Sequence, residues 1–206
     1  MHLIKSKEKK ERSLQSNLGL KAYRSASPKS GMNKRGTRPG EHGGKFSRNG
    51  SEFKTQLMEK QRIKFSYGLS EKQIKTIFKK ALASKKSVTN FILRKLETRL
   101  DNVTFKLGYA PSRIMARQLI SHGHFLVNGR KVNVPSFEVK VGDLITIKEK
   151  SQKISLFKEI PTTLKGAPQE SWLSRDVAKF EGTMKSVPEN IELPFNINLV
   201  VDYYSR

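Results

Sequence analysis

Ser112-Arg113-Ile114-Met115-Ala116-Arg117-Gln118-Leu119-Ile120-Ser121-His122-Gly123-His124-Phe125-Leu126-Val127-Asn128-Gly129-Arg130-Lys131-Val132-Asn133-Val134 is the stretch of this 206-residue chain that decides its fold. Its hydrophobic period changes partway through. Ile114, Met115, Leu119 and Ile120 recur at helical spacing, with Ser112 after Pro111 as the start signal and Gly123 as the stop. From Phe125 the pattern is that of strands, and Asn128-Gly129 between two apolar runs is the strongest short-range signal for a β-hairpin. Gly142-Asp143 marks another turn and Leu144-Ile145-Thr146-Ile147 a further strand. Upstream, Ile92, Leu96, Leu100, Val103 and Leu107 are spaced by four, four, three and four residues, which predicts one long helix ending at Gly108. The result is a helix-helix-sheet module over residues 97–160.

Arg113 and Arg117 stand one turn apart on one side of the second helix, with Ser121 one turn further. Two guanidiniums at that spacing can engage successive phosphates through their planar forks. His122 and His124 are expected to cap the helix end and touch RNA rather than bind metal, because the chain has no cysteine and no acid nearby in sequence to complete a ligand set. Asp101 is expected to pair with a local arginine, and Asp143 to be a turn residue. No Walker loop, dinucleotide fingerprint or nucleophile elbow occurs.

Before the module, Ser70 and Gln73 sit at capping-box positions, followed by Ile74, Ile77, Phe78, Ala81 and Leu82 on one stripe, which predicts an amphipathic helix. Its other side carries Lys72, Lys75, Lys79 and Lys86, read here as a phosphate-facing stripe in preference to a solvated lysine face. Phe53 to Phe65 is expected to form another helix, with Arg62 and Lys64 leading into Tyr67-Gly68. Tyr67 is the aromatic considered for base stacking. After the module, Ile197, Leu199, Val201 and Tyr203 alternate, which predicts a C-terminal strand that returns to pack.

Residues 1–52 show neither period. Ser25 to Gly50 is rich in Gly, Ser and Asn and carries Lys34, Arg35, Arg38, His42, Lys45 and Arg48, so it is expected to lack a core of its own and to order on RNA as a basic arm. The whole chain holds 41 Lys and Arg against 18 Asp and Glu, a formal net charge of +23. The excess is not spread evenly: residues 1–60 hold 15 basic and 5 acidic side chains, and residues 61–100 hold 11 and 2. Residues 151–206 hold 7 of each, so the charge is concentrated as a binding surface for a polyanion would require. No apolar run exceeds three residues, which excludes a membrane-spanning helix of about 20 residues. The N-terminus has no apolar signal core, so secretion is not expected, and organelle import stays open. With zero cysteines there is no disulfide framework and no thiol nucleophile.

Arg99-Leu100-Asp101-Asn102-Val103, the helix Ser112–Ile120, Ser121-His122-Gly123-His124, Val127-Asn128-Gly129 and Val139-Lys140-Val141-Gly142-Asp143 resemble, in order and spacing, the S-four RNA-binding domain. The likeness continues outside the module. Glu59-Lys60-Gln61, Tyr67-Gly68, Ser70-Glu71-Lys72-Gln73, Phe180-Glu181-Gly182-Thr183, Pro188-Glu189, Leu193-Pro194 and Tyr203-Tyr204-Ser205 resemble the S-four family of small-subunit ribosomal proteins, from about residue 36 onward. Two departures stand out: many members carry an N-terminal zinc-binding cysteine cluster that is absent here, and Glu41 occupies a position in Arg38-Pro39-Gly40-Glu41-His42-Gly43 that usually holds Gln.

The resemblance implies an α+β protein: a basic extended arm (1–52), a helical domain (53–96, completed by 161–206) and an inserted S-four domain of two helices on a small sheet (97–160). It implies a structural, non-enzymatic constituent of the small ribosomal subunit that binds ribosomal RNA early in assembly, on cytoplasmic or organellar ribosomes, with no cofactor; the missing cysteines lead to the expectation of no metal, and the short apolar runs to that of no membrane. Contact with the neighbouring ribosomal protein S-five, a role in translational accuracy and proximity to messenger RNA where it enters the ribosome are further family properties. The RNA-facing set expected is Lys34, Arg35, Arg38, His42, Lys45, Arg48, Arg62, Lys64, Tyr67, Lys72, Lys75, Lys79, Arg99, Arg113, Arg117, His122, His124, Asn128, Arg130 and Lys131. The alternatives are an RNA-modifying enzyme, which would need a separate catalytic domain, and a free RNA chaperone or rescue factor, which would match the family over the module alone.

Overall fold

The structure, a computed structural model, describes residues 6–21, 27–45, 50–84, 87–164, 168–189, 191 and 193–205. Among these the elements run α1 (Lys7–Leu14), α2 (Glu52–Ser66), α3 (Glu71–Leu82), α4 (Val88–Glu97), α5 (Leu100–Lys106), α6 (Arg113–Ser121), β1 (Phe125–Val127), β2 (Arg130–Lys131), β3 (Leu144–Ile147), β4 (Leu173–Asp176), β5 (Glu181–Met184) and α7 (Ile197–Ser205). Single helical turns occur at Gly31–Lys34, Glu41–Gly44, Glu149–Gln152, Ser155–Lys158 and Ile160–Thr163. The chain divides into two compact units, one of Met1–Ile92 with Ile191–Arg206 and one of Leu93–Asn190.

In the first unit α3 begins as its residues dictate. The Ser70 side chain accepts from the Gln73 amide at 3.3 Å and the Gln73 side chain accepts from the Ser70 amide at 2.9 Å, so the capping box is complete. Ile74, Phe78 and Ala81 are buried while Lys72, Lys75 and Lys79 face out. The arm is not shapeless. Lys7–Leu14 is helical and lies against α2: Leu14, Leu18 and Leu20 are buried, Arg62 donates to the Leu14 carbonyl at 3.1 Å, and buried Glu11 accepts from the Leu20 amide at 3.1 Å. Its sequence carries too few apolar residues to show a period. Its burial depends on the partner helix.

The C-terminal segment corrects the strand expectation, because Ile197–Ser205 is helical and packs on α2 and α3. Ile197 and Val200 are buried, the Tyr204 ring lies 5.0 Å from Phe78 and the Tyr203 ring 5.6 Å from Phe53. Ile197, Val200, Val201 and Tyr204 satisfy a helical stripe as well as alternate residues satisfy a strand, and the partner helices decide.

The second unit is a five-stranded antiparallel sheet, ordered β2-β1-β3-β5-β4, with α5 packed against α6. The hairpin forms where expected: Asn128 and Gly129 have φ of +51° and +75°, the two left-handed positions of a type I′ turn. The expected single helix from Ile92 to Leu107 is instead α4 and α5, broken at Thr98 and Arg99. Arg99 is extended there and bridges Glu138, while the Leu100 amide donates to the Phe137 carbonyl at 2.9 Å and Val139 donates to Thr98 at 2.9 Å. The apolar spacing is continuous across the break because both helices feed one core, including Leu96, Leu100, Val103 and Leu107. Residues 161–206, expected to complete the helical domain as one piece, separate: β4 and β5 pair with the sheet through β3, and only the last residues join the first unit. The strand pattern of Leu173–Asp176 and Glu181–Met184 is too short to read from sequence alone.

Candidate nucleic-acid interface

An interface for a polyanion needs cations that are presented to solvent rather than consumed by internal pairs. In the first unit α3 meets that need. Lys72, Lys75 and Lys79 are exposed, and among the described residues none of them pairs with a carboxylate. Lys86 lies outside the described residues. Lys34, Arg35, His42 and Lys45 are also exposed, on the short turns that follow α1, and Arg38 is half-buried. The Arg12 guanidinium holds this segment by donating to the Thr37 carbonyl at 3.1 and 3.0 Å. Arg48 lies outside the described residues.

Three expected contact residues of this unit are committed to the fold. Tyr67 is 1% exposed, its ring edge-on to Phe195 at 6.0 Å, so it is a core residue and offers no face to a base. Arg62 pairs with buried Glu59 and holds the Leu14 carbonyl. Lys64 and Lys60 share Glu71, at 3.0 and 2.7 Å. Burial of Glu71 raises its pKa, but hydrogen bonds from the two ammonium groups outweigh that and hold the carboxyl below its usual range. Lys60 also lies 4.5 Å from the Tyr203 ring.

In the second unit α5 and α6 form a polar rack. Asp101, almost fully buried, accepts from Arg99 at 3.0 and 2.7 Å and from Arg117 at 3.1 and 2.6 Å. Asn102 accepts from Arg113 Nε at 2.7 Å and donates to the buried Glu97 side chain at 2.8 Å, while the Arg113 guanidinium lies 4.7 Å from the Phe105 ring. The expected pairing of Asp101 with a local arginine is therefore present, and a second arginine from the next helix joins it. Arg99 is buried and serves the rack rather than the surface. Arg113 and Arg117 are half-buried and anchored to α5, a role that helical spacing alone did not reveal.

The end of α6 meets the hairpin. Gly123, at φ +75°, has the Lys131 stem lying over it, so close that a side chain there would collide with Lys131 Cε. His122 is exposed beside it, and Arg130 and Lys131 are exposed on β2. His124 Nδ1 lies 2.9 Å from Ser151 Oγ and its ring is edge-on to Phe157. Burial pushes its pKa below 6.5, and the charges of His122 and Lys148 act in the same direction. Asn128, although exposed, serves the turn: its side chain accepts from the Leu144 amide and donates to Asp143, both at 2.9 Å. Lys148 is exposed, and its amide donates to the His124 carbonyl at 2.9 Å. Sequence reading missed it, since a lone lysine after a strand carries no pattern signal.

A family model described as the ribosomal protein S4/S9 N-terminal domain matches residues 2–97, and one described as the S4 domain matches residues 98–145. The small ribosomal subunit protein uS4 of Thermus thermophilus is 44% identical over 192 residues, covering 92% of this chain and 91% of that one. The protein of the same name from Aquifex aeolicus is 46% identical over 175 residues, covering 82% and 83%, and that from Clostridium tetani is 44% identical over 194 residues, covering 92% and 91%. Two adjoining family matches and relatives matched along nearly their whole length, on a chain with these exposed cations, show that it belongs to the ribosomal protein S4 family, uS4.

Proposed function

We propose that the chain is a structural constituent of the small ribosomal subunit that binds its ribosomal RNA directly and acts in subunit assembly rather than in catalysis. Family membership along nearly the whole chain carries this reading. A free RNA-binding factor built on the module alone would not match the family over residues 2–97. The binding surfaces are, in the first unit, the exposed lysines of α3 with Lys34, Arg35, Arg38, His42 and Lys45, and in the second unit Arg130, Lys131 and His122 with the anchored Arg113 and Arg117. Lysines and arginines release condensed counterions, and the folded scaffold selects RNA shape. Contact with ribosomal protein S-five, an effect on translational accuracy and closeness to incoming messenger RNA extend the same proposal by family resemblance.

The test is binding of the full chain to small-subunit ribosomal RNA and to an unrelated RNA of equal length across a salt series. A preference for the ribosomal RNA that persists at high salt supports the reading. Equal affinities that collapse together overturn it in favour of a generic basic binder.

A further inference from the structure

Asp101 is an acid in a place where negative charge weakens the attraction of an RNA backbone. It is almost fully buried, and its two oxygens take four hydrogen bonds from two guanidiniums that come from different places in the chain, Arg99 before α5 and Arg117 on α6. One carboxylate between two guanidiniums leaves a net charge of +1 and fixes the plane of each fork. Beside it Asn102 fixes Arg113 in the same manner, through Nε at 2.7 Å. The Arg117 side chain keeps 19% of its surface exposed, so an anchored group reaches solvent.

An unanchored arginine attracts any phosphate, whereas an anchored one rewards only a phosphate in the right place. We infer that Asp101 is a positioning residue that sets RNA specificity, giving up general attraction for a fixed guanidinium geometry. The inference rests on the ribosomal RNA reading above. It separates from a purely structural role because the two predict different ratios between cognate and unrelated RNA.

The experiment compares Asp101→Asn with the unaltered full chain for binding to small-subunit ribosomal RNA and to unrelated RNA at fixed salt. Asn keeps the shape and removes the charge. The expected result is a loss of about tenfold for the ribosomal RNA with equal or slightly tighter binding of the unrelated RNA, since one positive charge is released. The Arg99 and Arg117 Nε–H resonances should lose protection from exchange while that of Arg113, held by Asn102, keeps it. An unchanged ratio in a folded variant overturns the inference, as does a parallel loss on both RNAs. Should Asp101→Asn fail to fold, Arg117→Lys keeps the charge and the Asp101–Arg99 pair but removes the fork; it should lower the ratio similarly, and an unchanged ratio again overturns the inference. An unaltered chain with no preference would instead sink the ribosomal RNA reading itself.

Discussion

Replacing Lys72, Lys75 and Lys79 together by Gln isolates the contribution of α3 to RNA binding. On a helix of 3.6 residues per turn these positions fall within about 60° of one another and span about 10 Å along the axis, so they can meet one stretch of backbone phosphates. Each lysine that neutralises one phosphate contributes about 0.7 to 0.9 to the slope of log affinity against log salt, so the triple variant should lose about 2 to 3 from that slope. The deficit relative to the unaltered chain should then shrink by about thirtyfold between 50 mM and 200 mM salt. Stability should stay within about 0.5 kcal/mol, because the three side chains are exposed and Lys and Gln have similar helix propensity. Relief of the like-charge pair Lys75 and Lys79, one turn apart, acts in the stabilising direction. Salt-series binding with a parallel urea titration measures both. A triple Lys→Arg variant should restore the slope. An unchanged slope in the Gln variant would refute the assignment of α3 as a phosphate-facing surface.

Gly123→Ala should destabilise the second unit by about 1 to 2 kcal/mol in urea, because an L-residue is strained at φ +75°, while the exposed Lys131 side chain can swing away from the new Cβ. Ser112→Ala should cost about 1 kcal/mol, since the Ser112 side chain accepts from the Met115 amide at 3.2 Å to cap α6. Burial lowers the pKa of His124 in the fold, so its contribution to stability is full above pH 6.5 and is lost as pH falls, the unfolded chain taking up the proton first. Urea midpoints measured between pH 7.5 and pH 5 should drop for the unaltered chain and drop less for His124→Gln; equal slopes would rule His124 out as the source.

Local chemistry was legible in the sequence wherever a residue's own backbone decides the outcome. Asn128-Gly129 fixes its turn through two left-handed residues, and Ser70 with Gln73 fixes a helix start, without help from the rest of the chain. Legibility failed where a partner decides. Lys7–Leu14 is a helix because α2 receives Leu14, and Ile197–Ser205 is a helix because α2 and α3 receive Ile197 and Val200. The break at Arg99 was hidden because the apolar spacing continues through it. The same limit applies to the proposed interface. The exposed α3 lysines could be read from one helix's periodicity, but the anchoring of Arg113 and Arg117 depends on Asp101 and Asn102 of another helix. Tyr67, an aromatic before a glycine, gave no local sign that Phe195 closes over it.

The division of the chain carries a consequence for biosynthesis. The unit that contains α1 to α3 is completed by residues after Ile191, including the Asn196 amide that donates to buried Glu59 at 3.1 Å and the α7 residues that seat against α2 and α3. The unit from Leu93 to Asn190 needs no residue from beyond that range to close its sheet, because β5 is made before α7. During vectorial synthesis the connectivity therefore lets the second unit finish folding while the first still waits for its last helix, although most of the first is translated earlier.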